Sequence, residues 1–168
     1  MIAAAVANIL WQDSSEVLYR NIAGAKQTCS EFKFTLPVKP GFAFEYGLVK
    51  FDAEGHVTVR VAFVWNGASG PTIDTSDTVC ASLGHDVMYW LMQEGILPIE
   101  IFKHAADLWF YERLRTDGMN DLRAWYWYRA VYVLGVPKRG PDDVIHRAPI
   151  PYTVNKYQPV IPGNFMGA

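Results

Sequence analysis

Cysteine is scarce in this 168-residue sequence, in which only Cys29 and Cys80 occur. Two cysteines allow one disulfide bond at most, which excludes a small disulfide-held scaffold and favours a reducing compartment. No apolar run reaches the roughly 18–20 residues that a membrane-spanning helix needs. The apolar first eleven residues carry no basic residue, and we therefore expect neither a cleaved signal peptide nor a transmembrane segment.

An excess of charge of either sign is also missing. The chain has 15 basic and 17 acidic residues and a formal net charge of −2. Because no cluster of basic residues stands out, nucleic acid is not an expected partner. What the chain does have is apolar and aromatic side chains, at 51% and 14% of the residues. Such a composition excludes a disordered chain and fits one domain with a sizeable core.

Residues 1–136 are predicted to form a single α+β domain, in which a small antiparallel sheet precedes a core of three helices. The N-terminal segment, residues 1–31, has an ambiguous pattern. Its first residues have the weak apolar pattern of a helix, which Gly24 would end. The apolar residues of this pattern are Ile2, Val6, Ile9 and Leu10.

Residues 32–66 have the pattern of β-strands. The run from Phe32 to Leu36 alternates with period two and stops at Pro37. Two further β-rich runs, residues 42–51 and 57–65, flank a short loop that contains Gly55. Because glycine adopts a positive φ at little cost, this loop suits a tight turn. The two runs are therefore predicted to pair as a β-hairpin.

Three helices are predicted within residues 76–136. The first runs from about Asp77 to Gln93, with Ser76 or Asp77 as its cap and Gly95 as its stop. The second has Pro98 in its first turn, where proline costs no hydrogen bond. It ends near residue 118.

The third helix is predicted to start at Asn120 or Asp121 and to end near Gly135. Apolar and aromatic residues surround it almost completely, so we expect it to be buried centrally or to lie at an interface. After it, residues 137–168 contain six of the ten prolines and no helical stripe. They are predicted to form an extended C-terminal arm that wraps around this domain or a neighbour.

Two of the predicted helices carry polar residues that can converge. His85 and Tyr89 are four residues apart on the first helix and share a face, whereas Asp86 is rotated by about 100° from His85. Because the connection to the second helix is short, the two helices must be antiparallel. Asp107 is as far beyond this connection as His85 is before it, so we expect the two side chains to face each other. Phe110, one turn on, is expected near Ala81 or Gly84.

This arrangement suits hydrolysis. An aspartate that accepts a hydrogen bond from one imidazole nitrogen fixes the ring and leaves the other nitrogen as a base toward water. A carboxylate beside a loop of free carbonyl oxygens suits Ca²⁺, which polarises an ester carbonyl. His85, Asp107 and Tyr89 are therefore candidate catalytic residues. The alternative, of equal weight, is a buried polar network that pins the two helices to the loop, with Tyr89 as part of the core.

Three motifs occur in order within about residues 42–136. They are Val-Trp-Asn-Gly-Ala-Ser-Gly-Pro at 64–71, Gly-His-Asp-Val-Met-Tyr at 84–89 and Ala-Asp-Leu-Trp-Phe at 106–110. They resemble a family of unknown function that is common in tailed phages and prophages. Asn66 and Met88 stand where that family often has Asp and Leu. The resemblance implies a phage or prophage gene and implies no activity.

A more distant resemblance is to the secreted calcium-dependent phospholipases of the type A-two class. These also combine a glycine-rich loop, His-Asp-x-x-Tyr on one helix and Asp-x-x-Phe on an antiparallel helix. The resemblance implies that His85 is the general base and that Asp107 is its partner. It implies that Asp86 is the calcium carboxylate. The loop residues Trp65, Gly67 and Ser69 would offer backbone carbonyls to the same ion. The disulfides usual in those enzymes are missing here.

Two hypotheses follow. The first is a phage virion protein, of the tail or baseplate, built on a phospholipase-like fold without activity. It would reside in the virion, or in the host cytoplasm before assembly. Its partners would be other phage structural proteins or further copies of itself, bound through the C-terminal arm. The alternative is an active calcium-dependent lipid ester hydrolase with His85 as general base. A cytoplasmic factor that acts on host proteins is a third class.

Overall fold

The computed structural model describes residues 11–67 and 75–137, which form two small antiparallel sheets followed by three helices. The fold class is therefore α+β, as the sequence predicts. The strands are β1 (Tyr19–Ile22), β2 (Ala25–Thr28), β3 (Phe32–Thr35), β4 (Phe44–Tyr46), β5 (Val49–Phe51), β6 (His56–Val59) and β7 (Val64–Trp65). The helices are α1 (Ser76–Gln93), α2 (Ile99–Thr116) and α3 (Asp121–Leu134).

The first sheet has the order β1-β2-β7. Its first two strands form a hairpin in which Ile22 pairs with Ala25, and both turn residues, Ala23 and Gly24, have a positive φ. Two positive φ values are what a tight two-residue hairpin turn requires. The prediction that Gly24 ends a helix is therefore wrong, because this glycine serves a turn between strands. The apolar residues of the predicted stripe lie outside the described residues.

The second sheet has the order β3-β6-β5-β4 and contains the predicted hairpin. β5 and β6 pair across the loop with Gly55, whose φ is +90°. Each of the two β-rich runs, however, forms two strands and not one. Residues 42–51 turn at Gly47, with a φ of +58°, and residues 57–65 bend at Ala62, with a φ of +76°. The second bend sends β7 to the other sheet, where it pairs with β2.

The helix boundaries are close to those predicted. Gly95 follows α1 with a φ of +72°, and the Asn120 side chain accepts a hydrogen bond of 3.0 Å from the Leu122 amide at the start of α3. The cap of α1 differs, because Thr75 rather than Ser76 or Asp77 holds this position in a capping box with Thr78.

The core lies between the second sheet and the antiparallel pair of α1 and α2. The ring centroid of Phe34 in β3 is 4.6 Å from that of Trp109 in α2, and that of Phe51 in β5 is 6.2 Å from that of Phe102. These aromatic contacts fix α2 against the sheet, and α1 packs beside α2. The site residues of both helices are thereby held on a rigid support.

α3 packs on the outer side of this core and buries only Ala124 and Trp127. Central burial, one of the two expectations for this helix, is therefore wrong. The predicted C-terminal arm lies outside the described residues from residue 138 onward. Within the described parts of the chain, no helix is both long enough and apolar enough to cross a membrane.

Candidate functional site

His85 and Asp107 meet between α1 and α2. His85 Nε2 lies 3.0 Å from Asp107 Oδ1. The Asp107 side chain has no accessible surface, and His85 retains 7% of its own. Antiparallel packing of the two helices produces this contact, as the spacing of the residues predicts. A fully buried carboxylate is stable only when its oxygens are hydrogen-bonded, and the imidazole supplies one of those bonds.

Two further donors complete the environment of Asp107. The hydroxyl of Tyr89 donates to Oδ1 over 2.7 Å, and Lys103 Nζ donates to Oδ2 over 2.6 Å. Tyr89 was expected on this face of α1. Lys103 was missed, although its position four residues before Asp107 on α2 is a signal for an ion pair within one helix.

Lys103 also ties the site to α3. Its ammonium lies 3.2 Å from the carbonyl oxygen of Tyr132 and 3.4 Å from that of Val131. These carbonyls belong to the last turn of the helix, where the negative end of the helix dipole favours a cation. The same ammonium therefore neutralises Asp107 and caps α3.

Aromatic rings surround the imidazole of His85. The ring of Tyr89 is centred 4.1 Å away and that of Phe110 is centred 4.9 Å away. Phe110 lies in one cluster with Ala81, which is one of the two expected neighbours. The other, Gly84, packs against Trp109 instead. This apolar shell lowers the local dielectric constant and strengthens the electrostatic contacts of the ring.

Burial and hydrogen bonding shift the pKa values of the site residues. Burial alone would raise the pKa of Asp107, but hydrogen bonds from His85, Lys103 and Tyr89 outweigh it and hold this pKa below its usual value. For His85, burial acts to lower the pKa, and the hydrogen bond to Asp107 together with nearby Asp86 raises it overall. The pKa of Tyr89 is raised by burial and by Asp107. Asp107 is thus an anion at neutral pH, and Tyr89 is a neutral donor.

The second imidazole nitrogen faces Asp86. Nδ1 of His85 lies 4.0 Å from Oδ1 of Asp86, whose side chain is partly exposed. An ionised Asp107 is an acceptor only, so the neutral imidazole carries its hydrogen on Nε2 and presents a lone pair at Nδ1. Nδ1 of His85 and the candidate calcium carboxylate therefore lie on one side of α1.

Of the three loop residues of the predicted calcium site, Trp65 and Gly67 lie within the described part of the chain. Trp65 is fully buried in β7, and its indole N–H donates to Ser82 Oγ over 3.2 Å. Ser82 lies one turn before Asp86, so this contact fixes β7 against the middle of α1, close to Asp86. Gly67 is buried and has a φ of +80°. Ser69 lies outside the described residues.

Within residues 11–67 and 75–137, no group of three or more His, Cys, Asp or Glu side chains converges as a metal site. A cation held beside α1 would therefore depend on Asp86 together with backbone carbonyl oxygens. Such a donor set consists of hard oxygens, which suits Ca²⁺ better than a transition metal.

Comparisons with known proteins gave no match, whether with protein-family models, curated proteins or solved structures. The likeness to the phage family and to the phospholipases accordingly rests on the short motifs. The function must be argued from the geometry around His85.

Proposed function

We propose that the chain is a hydrolase of lipid esters in which His85 is the general base. The observation that carries this proposal is the bonding of the imidazole. Nε2 is engaged by buried Asp107 at 3.0 Å, which leaves Nδ1 as the proton acceptor on the side of Asp86. An imidazole oriented in this way by a carboxylate is the arrangement that activates water for attack on a carbonyl.

The proposed reaction moves one proton at Nδ1. His85 takes it from a water molecule whose oxygen attacks the ester carbonyl carbon. When the tetrahedral intermediate collapses, the ester C–O bond breaks and the imidazolium returns the proton to the departing alcohol. The products are a fatty acid and the deacylated alcohol. Asp107 remains ionised throughout and stabilises the imidazolium, while Lys103 and Tyr89 hold its carboxylate in place.

The residues beside His85 suit a calcium ion. Asp86 would provide the carboxylate, and the backbone carbonyls of Trp65, Gly67 and Ser69 are the proposed neutral ligands. All four are hard oxygen donors. When bound, such an ion supplies polarisation of the ester carbonyl and stabilisation of the negative oxygen that forms on it. Removal of calcium is therefore expected to abolish hydrolysis and to leave the fold intact.

The test is fatty-acid release from mixed phospholipid vesicles, measured with calcium and with a calcium chelator. We expect His85→Asn to lower the rate by a factor of about 10²–10⁴, the usual contribution of a general base. His104→Asn is the matched control, because His104 is exposed on α2 and edge-on to Tyr132. Its rate is expected to stay within twofold. Undiminished activity in the His85 variant, or no activity of the wild type with any lipid, would overturn the proposal.

A second candidate function is that of a virion component in the tail or baseplate, with phage structural proteins as partners. The exposed aromatic face of α3 favours assembly with another chain, and the motif resemblance favours a phage origin. Mass spectrometry of purified particles from a phage that carries this gene tests this candidate. Absence of this protein from the particles would rule out the virion role and would not affect the hydrolase proposal.

A further inference from the structure

We infer that α3 is the interface of a homodimer in which the α3 helices of two copies pack antiparallel. This inference rests on the exposed face of α3 and stands whether or not the chain hydrolyses esters.

The face of α3 that points away from the core is mostly apolar. Ala124 and Trp127 face α2 and are buried. The opposite side carries a stripe at helical spacing, formed by Leu122, Tyr126, Arg129 and Val133, and all four are exposed. In a monomeric surface helix this stripe would be charged or polar. Here the apolar residues extend around both sides of the helix.

The size of this surface is at the upper end of what a monomer usually leaves open. Leu122 is 74% exposed, Tyr126 61%, Val133 60% and Leu134 76%, and Trp125 and Tyr132 adjoin them with about half of their surface accessible. Aromatic side chains offer about 150–250 Å² each and Leu and Val less, so these six partly exposed residues leave roughly 500–700 Å² of apolar surface. The largest patch on a typical monomer is about 300–600 Å², and a stable dimer buries about 800 Å² on each partner.

The stripe is complementary to itself when reversed. In a two-fold interface, residue i of one copy meets residue j of the other, and the reverse contact also forms. Centring the axis between Tyr126 and Arg129 pairs Leu122 with Val133 and Tyr126 with Arg129. The first pair is apolar. The second places a guanidinium on a tyrosine ring, a favourable cation–π contact.

Charges in the first turn of α3 do not oppose this packing. Asp121 is paired with Arg115 of the same chain over 2.8 Å, and Arg123 lies 3.8 Å from Asp77. Both charges are thus paired within one chain before two copies meet. No acidic residue occurs on α3 after Asp121. The Arg129 guanidinium lies 5.8 Å from the centroid of the Tyr132 ring in its own chain, and in the helix pair it would also contact Tyr126 of the other copy.

The first experiment is sedimentation velocity of the full chain across micromolar concentrations. We expect a species of about twice the 19.0 kDa chain mass. Tyr126→Glu should weaken association by more than 100-fold, because it places two buried acids near the symmetry axis. Val61→Glu is the control, since Val61 is 51% exposed but lies outside α3. A wild type that stays monomeric at tens of micromolar overturns the inference.

The second experiment tests the register. Tyr126→Lys should give a monomer, because the new ammonium would face Arg129 of the other copy. Combining Tyr126→Lys with Arg129→Glu should restore the dimer through two Lys–Glu pairs. A photo-crosslinker in place of Tyr126 should join two copies at residues near 129. A crosslink confined to one chain, as to residues 138–168, or one to a different protein would overturn the inference.

Discussion

The indole of Trp109 fills the space in which a Cβ atom on Gly84 would stand. Gly84 directly precedes His85 on α1, and Trp109 lies two residues after Asp107 on α2. The absence of a side chain at Gly84 therefore lets the two helices approach closely beside the site. This approach is what allows the 3.0 Å contact between His85 and Asp107.

Gly84→Ala is predicted to destabilise the protein. Glycine to alanine in a helix interior normally stabilises by about 0.5–1 kcal/mol. Here the added methyl group would overlap Trp109, and overpacking of this kind costs about 1–3 kcal/mol. Urea unfolding is expected to give a lower free energy of unfolding for the variant. Ser76→Ala, at the exposed start of α1, should change it by less than about 0.5 kcal/mol. A stabilised Gly84→Ala variant would contradict the close packing.

The acid sensitivity of the fold is predicted to depend on Asp107. Its pKa is lowered in the folded chain from 3.8. The stability that it contributes is therefore complete above that value and is lost as the pH falls through the lower folded pKa. Asp107→Asn should cost about 3–5 kcal/mol at pH 7, because the partly buried Lys103 and the buried His85 would lose their shared buried anion. The variant should also lose less stability than the wild type below pH 3.8.

Denaturant unfolding at pH values from 2 to 7 measures this dependence. Glu45→Gln is the control, since Glu45 forms an exposed ion pair with Arg60, and such pairs contribute about 0–1 kcal/mol. If the free energy of unfolding of Asp107→Asn falls with decreasing pH as steeply as that of the wild type, the acid sensitivity does not come from Asp107.

Lys103→Met is predicted to loosen the end of α3. The variant removes the ammonium that holds Asp107 and the carbonyls of Val131 and Tyr132. Hydrogen bonds to charged groups contribute about 1.5–3 kcal/mol, and a loss of that order is expected. Hydrogen exchange should accelerate in the last turn of α3. Lys39→Met, which breaks an exposed pair with Glu54, should leave exchange in α3 unchanged.

Arg113→Lys is predicted to detach the segment before β1. The Arg113 guanidinium donates to the carbonyl oxygens of Ser14 and Ser15 over 2.8 and 2.7 Å, while its Nε binds Asp117. A lysine ammonium cannot reproduce this planar fork. Limited proteolysis should cut near residue 14 at least several-fold faster. Arg115→Lys, at an exposed position on the same helix, is the control. Equal cleavage rates in the two variants would refute the anchoring role.

Local rules predicted the helices well because their signals are local. Gly95 and Asn120 act at the helix ends that contain them. The strands were harder, because a turn at Gly47 and a bend at Ala62 redirect the chain within apparently continuous runs. Alanine is rarely found with a positive φ, so no residue signal marked the bend that moves β7 to the other sheet.

The sequence alone determined that His85 and Asp107 face each other, since helix period and a short connection leave two antiparallel helices little choice of register. It also predicted the α+β class. Only the tertiary structure decided how Asp107 is neutralised, because Lys103 completes its contacts with carbonyls of a helix that follows about 30 residues later. The same holds for α3. Its pattern is apolar all round, and which side is covered depends on how it docks onto α2, a non-local contact that helix periodicity does not encode.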